Sequence, residues 1–288
     1  MDVSRTVRAN GVDLFVRELG PDDPDGPPLV VVHGGPDWDH SYLLPGIEPV
    51  ARQRHVILFD LRGCGRSAQG LGPEGYQPEY LVEDLRHLLA LLGQDQVDLL
   101  GFSTGGQVAQ LFVQAHPYAV RRLVLASTTA YGDVARHREG WAEAERRLSM
   151  RADWPSWAPP RPVDPQGAEL TLAWALDGAP SAIWDLSRLS SYLELLSRVR
   201  FSGEWIAPFL SGALHPWRPT DPEATLREFG RPVLVLHGEQ DMTFPVAVAR
   251  RLAAAVPNAV LRVLHDAGHM AHVDRPAQWA AAVTDFVC

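Results

Sequence analysis

The sequence predicts an α/β fold: a mostly parallel, twisted sheet with helices on both faces, opened by an antiparallel hairpin and interrupted by an inserted helical segment. Three observations carry this. Short apolar, β-branched runs alternate with helix-period stretches through residues 1–130 and again through 226–288, as parallel strands joined by crossover helices require. The runs at 29–32 and 56–59 are apolar throughout rather than at every second residue, which suits strands covered on both faces. Between residues 131 and 225 the strand signals stop, while tryptophan and proline concentrate.

Residues 6–18 alternate around Asn10-Gly11, a two-residue hairpin signal. Residues 29–32 and 56–59 read as buried strands. Residues 80–92 place Leu81, Leu85, Leu88, Leu89 and Leu92 at helical spacing and end at Gly93, a C-cap signal. Further strands are expected at 97–102, 122–126, 233–236 and 260–264, with helices at 107–115, 246–256 and 277–287. Seven of the nine tryptophans (141, 154, 157, 174, 184, 205 and 217) fall within 131–225, beside Pro155, Pro159, Pro160, Pro162 and Pro165. Helical stretches at 140–149, 168–176 and 186–199 complete a helical cap over 131–225, set into a core of 1–130 and 226–288.

Bulk properties narrow the partners. The 288 residues suffice for one large α/β domain with an insertion, and 46% hydrophobic with 21% charged residues is a globular composition. No apolar run approaches the roughly 18–20 residues that span a bilayer, and the opening residues lack a signal-peptide core. The expected location is cytoplasmic, without a membrane partner. A net charge of −9 argues against nucleic acid. All 26 basic residues are arginine, which excludes Schiff-base chemistry, pyridoxal phosphate anchoring and a P-loop lysine. Two cysteines, Cys64 and Cys288, are too few for a zinc site, and no His/Cys/Glu set has metal-ligand spacing. Cys64, in a Gly-rich loop, reads as a small side chain in a crowded turn.

Gly101-Phe102-Ser103-Thr104-Gly105 directly follows a strand signal and directly precedes a helix signal. That order makes G-x-S-x-G a nucleophile elbow, with glycines where a side chain would collide across the turn. A serine hydroxyl needs a base within hydrogen-bond reach, itself oriented by a third group. In open α/β sheets such groups gather at the carboxyl ends of strands. Asp241 follows the strand run ending at Leu236-His237-Gly238, and His269 follows the last strand in His265-Asp266-Ala267-Gly268-His269. Gly268 is expected to permit the bend that swings His269 toward Ser103. His33, His237 and His272 compete as histidines, and Asp266 as the acid. The backbone of His33-Gly34-Gly35-Pro36 suits an oxyanion hole, with the Gly35 amide as donor alongside that of Thr104. Asp60-Leu61-Arg62-Gly63-Cys64-Gly65-Arg66-Ser67 lacks the lysine and acidic partner of a nucleotide loop, so Asp60 and Arg62 are expected to tie loops together.

On these residues the chain resembles the α/β-hydrolase superfamily, and within it the proline iminopeptidase-like branch. The carriers are His33-Gly34-Gly35-Pro36-Asp37, the Asp60 to Ser67 loop, the Ser103 elbow, His237-Gly238-Glu239-Gln240-Asp241 and Ala267-Gly268-His269; together they cover the core but not the cap. The resemblance implies the α/β-hydrolase fold, Ser103, Asp241 and His269 as catalytic triad, and no cofactor. Two departures stand out. The branch usually carries tryptophan after the nucleophile, where this chain has Thr104. It also holds a substrate amine with cap glutamates, for which Glu204 and Glu194 are the candidates here. The cap's 13 acidic residues face 10 arginines, so it is no acidic funnel for amines.

The expected activity is a serine hydrolase acting on an ester, lactone or amide of a small apolar or aromatic substrate. Trp38, Trp184, Glu204 and Trp205 are the candidate substrate contacts; the cap tryptophans can equally pack cap to core. A cyclase or lyase of natural-product metabolism, and a small-molecule receptor, use the same scaffold. Epoxide hydrolases and haloalkane dehalogenases need an aspartate where Ser103 stands.

Overall fold

The computed structural model describes residues 1–21 and 26–288. Strands β1 (Asp2–Ala9) and β2 (Val12–Leu19) form the hairpin, with Ala9 opposite Val12 across Asn10-Gly11. Both turn residues have positive φ, 49° and 78°, the mirror-image turn that matches strand twist. The remaining strands are β3 (Leu29–Val32), β4 (Val56–Phe59), β5 (Val97–Phe102), β6 (Val120–Ala126), β7 (Val233–Gly238) and β8 (Ala259–Leu264). They form one sheet in the order β1-β2-β4-β3-β5-β6-β7-β8, parallel from β4 to β8 and antiparallel at β1 and β2.

Alternate residues of the central strands feed two apolar layers. Val30, Val32, Ile57, Phe59 and Leu99 pack with α2 (Pro78–Leu91) and α3 (Thr104–Ala115). Leu29, Val31, Leu58 and Leu100 pack on the other face against α1 (Leu44–Ala51) and the C-terminal helix. Full burial of both faces explains why β3 and β4 read as unbroken apolar runs, and why β5 does so except at Asp98, which pairs with Arg54 and Arg121. β8, at the sheet edge, alternates between half-buried and exposed residues instead.

Between β6 and β7 no strand occurs among the described residues. This insertion holds α4 (Ala142–Ser149), α5 (Gly167–Ala182), α6 (Leu189–Leu196), α7 (Ile206–Leu210) and α8 (Pro222–Phe229). α8 packs on α3 and puts Leu226 and Phe229 into the first apolar layer, while Leu176, Tyr192 and Leu196 of α5 and α6 extend the second. After β7 come α9 (Val246–Ala255), α10 (Ala271–Asp274) and α11 (Pro276–Val287), the last packed on α1. Four helices, α1, α7, α8 and α10, have no counterpart among the sequence expectations. Proline sits early in α1 and α8 and again inside α1 at Pro49, a residue that ordinarily marks a helix break. No helix of the described residues is long and apolar enough to cross a membrane.

The chain runs from β3 to one side and from β5 to the other, so the order reverses between these neighbours. A crevice opens beyond the carboxyl ends of strands at such a switch point. Gly34-Gly35 leave β3 there, and Ser103 leaves β5.

Candidate active site

Ser103 stands between β5 and α3 with φ 54° and ψ −123°, a conformation costing a non-glycine residue about 1–3 kcal/mol. The turn survives because its neighbours are small. A Cβ on Gly101 would lie 2.5 Å from the Gly105 carbonyl oxygen, and one on Gly105 would overlap the carbonyls of Val32 and His33. The carbonyl of Ser103 accepts the Gly106 N–H at 3.0 Å, and its N–H donates to the Ala126 carbonyl at 3.0 Å. Its hydroxyl thus projects from a turn fixed on both sides.

His269 Nε2 lies 3.1 Å from Ser103 Oγ, and His269 Nδ1 lies 2.9 Å from Asp241 Oδ2. Three residues far apart in sequence meet at one rim of the sheet. Asp241 is fully buried, and its Oδ1 accepts the N–H groups of Thr243 and Phe244, both at 2.8 Å. Burial pushes its carboxyl up, but the His269 charge and the imidazoles of His237 and His269 outweigh that and hold it well below the usual carboxylate range. His237 Nε2 approaches Asp241 Oδ2, the oxygen that faces His269, at 3.3 Å while donating to the Phe244 carbonyl at 2.6 Å.

The other candidate groups lie elsewhere. His272 is buried against Tyr42, Phe102 and Trp279, and its Nε2 donates to the Tyr42 carbonyl at 3.0 Å. Asp266 points outward and pairs with Arg275 at 3.2 Å. Asp266 also takes the positive φ in this loop, 51°. Gly268 serves a different need from the expected bend: a Cβ there would meet the Trp184 nitrogen at 2.9 Å and the Ala182 carbonyl at 3.0 Å. The glycine lets the insertion's backbone close over the His269 loop.

His33 is a structural clasp. Its Nε2 accepts the Leu61 N–H at 3.0 Å, so its proton sits on Nδ1, which donates to the Gly34 carbonyl at 2.7 Å. Burial lowers its pKa and keeps the ring neutral. In a planar trans peptide the N–H points opposite to the carbonyl. Holding the Gly34 oxygen therefore aims the Gly35 N–H the other way, and Gly35 borders the same cavity as Ser103 and His269. Thr104 is the first residue of α3, so its N–H has no partner inside the helix. Asp60 receives His40 and the Arg66 N–H, and Arg62 forms a two-point ion pair with Asp84. Both tie loops together, as expected.

The cavity beside Ser103 measures about 250 Å³, and a second chamber of about 280 Å³ adjoins it. Gly35, Trp38, Trp174 and Ala175 border both. Phe102, Tyr42, Tyr192 and Met270 complete most of the first, and Ile206 and Phe209 the second. Of the sequence candidates for substrate contact, Trp38 lines this space. Trp205 is fully buried beneath it, against Tyr76 and Trp217, with its indole N–H on the Arg62 carbonyl at 2.8 Å. Glu204 bonds the Tyr76 hydroxyl and accepts the Gly70 N–H at 2.9 Å, outside both chambers. Trp184 stacks on Arg147 outside them as well. Trp174, Tyr42, Tyr192 and Met270 carry no local motif; packing of the insertion on the core brings Trp174 and Tyr192 to Ser103, while Tyr42 and Met270 come from the core's own loops. No group of three or more His, Cys, Asp or Glu among the described residues is arranged to hold a metal ion.

Comparison with known proteins agrees with this geometry. A family model described as "alpha/beta hydrolase fold" matches residues 27–276. Proline iminopeptidase of Levilactobacillus brevis is 28% identical over 273 residues, covering 90% of this chain and 88% of its own. That of Lactobacillus delbrueckii subsp. bulgaricus is 27% identical over 279 residues, covering 91% and 90%. Among solved structures, an alpha/beta fold family hydrolase from Bacillus anthracis superposes with a TM-score of 0.75 at 17% identity, covering 99% of each chain. The enol-lactonase from Burkholderia xenovorans does so with a TM-score of 0.72 at 21% identity, covering 98% of this chain and 99% of its own. With these matches laid over the sheet order and the turn at Ser103, the chain belongs to the alpha/beta hydrolase fold family, in its proline iminopeptidase-like branch.

Proposed function

We propose that this protein is a serine hydrolase that cleaves an ester, lactone or amide of a small, largely neutral substrate through an acyl-enzyme. The observation that carries the reading is the continuous relay from Ser103 Oγ through His269 to buried Asp241, at 3.1 and 2.9 Å. Ser103 Oγ attacks the substrate carbonyl carbon as its proton passes to His269 Nε2. Asp241 holds the imidazole with Nδ1–H inward and balances the charge that forms. The N–H groups of Gly35 and Thr104 receive the oxyanion, each donor worth roughly 3–4 kcal/mol in the transition state. His269 then returns the proton to the leaving oxygen or nitrogen. Water repeats the sequence on the acyl-enzyme and releases Ser103. No cofactor enters these steps.

The insertion acts as the cap, closing the site with Trp174, Tyr192, Ile206 and Phe209. Two adjoining chambers suit an acyl group on one side of the scissile bond and a leaving group on the other. Among the described residues, no Arg, Asp or Glu lines the chamber beside Ser103. The second chamber borders Asp37, whose Oδ1 accepts the Ser202 hydroxyl and the Trp205 N–H at 2.9 and 3.0 Å and whose Oδ2 is sealed from solvent. This wall favours neutral acyl groups over a free amine. Proline iminopeptidase activity is the second reading, and similarity to proline iminopeptidases over about nine-tenths of the chain favours it.

A panel of p-nitrophenyl esters, small lactones, acylated amines and Pro-naphthylamide separates the two. Hydrolysis of esters or lactones is expected, and Ser103→Ala should lower kcat by on the order of 10⁶-fold. Turnover confined to Pro-naphthylamide would establish the aminopeptidase. Turnover that survives in Ser103→Ala would refute the serine mechanism.

A further inference from the structure

Two tyrosines on the wall of the Ser103 cavity have hydroxyl protons that the fold does not use. Tyr192 comes from α6 of the insertion, and Tyr42 from the short helix His40–Leu43 after β3. Each is 1% exposed. Tyr42 Oη accepts the Gly34 N–H at 2.8 Å, which leaves its own proton without an acceptor among the described residues. Tyr192 makes no hydrogen bond within the described residues, yet its oxygen is not among the buried polar atoms sealed off without a partner. The open space that Tyr192 borders is the cavity of Ser103.

The surroundings sharpen the point. Trp38, Phe102, Trp174 and Met270 supply the apolar part of this wall, and Thr243 adds an exposed hydroxyl at its rim. Ser181 spends its hydroxyl proton on the Gly178 carbonyl at 2.9 Å. Burial holds both phenols far above their ordinary pKa, so they remain proton donors at any working pH. A donor facing an apolar occupant loses its hydration and gains nothing, whereas one facing an oxygen recovers a hydrogen bond.

We propose that the Tyr192 hydroxyl, with that of Tyr42 beside it, is a specificity-determining contact: it donates to an acceptor oxygen on the acyl group held next to Ser103. This rests on the serine-hydrolase reading above. The preferred substrates are acyl compounds bearing an oxo, ether or second ester oxygen a few atoms from the scissile carbonyl, rather than plain alkanoyl groups. Tyr192 is the cleaner probe, because removing the Tyr42 oxygen also strands the Gly34 N–H.

The test compares p-nitrophenyl 4-oxopentanoate and 5-oxohexanoate with the pentanoate and hexanoate of equal chain length, in the wild type and in Tyr192→Phe. Intrinsic ester reactivity cancels when the oxo-to-alkyl ratio of kcat/KM is compared between the two proteins. That ratio should fall about tenfold in the variant for at least one chain length, as loss of one buried donor implies. The fall should appear in this ratio whichever way the absolute rates move, and the melting temperature should not drop, since no internal hydrogen bond is lost. An unchanged ratio in an active, folded variant would overturn the assignment, as would a wild type indifferent to the oxo group. Failure of every ester to turn over, with no labelling of Ser103 by a fluorophosphonate, would instead bring down the hydrolase reading and this assignment with it.

Discussion

At the scale of single residues, the proposed chemistry depends on which nitrogen of His269 carries the proton, and in it Asp241 decides that. Its Oδ1 is held by two backbone N–H groups, so Oδ2 alone faces His269. An asparagine here would keep its oxygen on those N–H groups and present its NH₂ to Nδ1. The imidazole would then carry its proton on Nε2 and be unable to accept one from Ser103. Asp241→Asn should lower kcat by about 10³–10⁴-fold with KM little changed. A loss under tenfold, measured on the best ester of the panel, would remove Asp241 from the relay. The meeting of Ser103, His269 and Asp241 was legible in sequence because strand-end position and chain order mark all three residues. The loop proposed to receive the oxyanion stood out as His33-Gly34-Gly35-Pro36, although the clasp role of His33 emerges only from its two hydrogen bonds. The cavity wall was not legible: Trp174 and Tyr192 lie on helices whose path over the core no local pattern encodes.

At the scale of elements, the His269 loop is held by the insertion as much as by β8. Asp274 of α10 is buried and accepts N–H groups from Gly268, Trp184 and Asp185 at 2.7, 2.8 and 3.1 Å. The Met270 N–H donates to the Ala182 carbonyl at the end of α5, at 2.8 Å. One carboxyl therefore joins the base-bearing loop to the insertion. Asp274→Ala leaves three N–H groups without this acceptor and should destabilise the protein by about 2–4 kcal/mol. It should also lower kcat more than it raises KM, because the loop that places His269 loosens. Urea unfolding and steady-state kinetics on one ester check both parts; lost stability with unchanged kcat would contradict the coupling. The sequence announced the strands and most core helices because burial on both faces and 3.6-residue spacing are local properties. It did not announce α1 or α8, whose prolines mimic breaks yet fall where tertiary packing sustains a helix. Nor did it announce that Gly268 is small to admit another backbone.

At the scale of the whole molecule, burial of histidine sets an acid limit. His272 is sealed among Tyr42, Phe102 and Trp279, and burial lowers its pKa from 6.5 to about 3. Between those values the unfolded chain binds a proton that the folded one refuses, so stability falls as pH drops through the window. The His272 share is roughly 2 kcal/mol at pH 5. His33 is shifted downward by burial as well and adds a loss of the same sign. His272→Gln keeps a donor for the Tyr42 carbonyl without a titrating ring, and should recover about 2 kcal/mol of the loss between pH 7 and pH 5. Urea midpoints at the two pH values measure it; equal losses in both proteins would show that His272 titrates normally.

The central claim is that Ser103 is an activated nucleophile at the meeting point of β5, the His269 loop and the Gly35 amide. The most direct measurement is labelling with a fluorophosphonate probe followed by peptide mass spectrometry. The account predicts a single adduct on Ser103, abolished in Ser103→Ala and strongly slowed in Asp241→Asn. An adduct on another serine, labelling that persists in Ser103→Ala, or a folded protein that never reacts would contradict it.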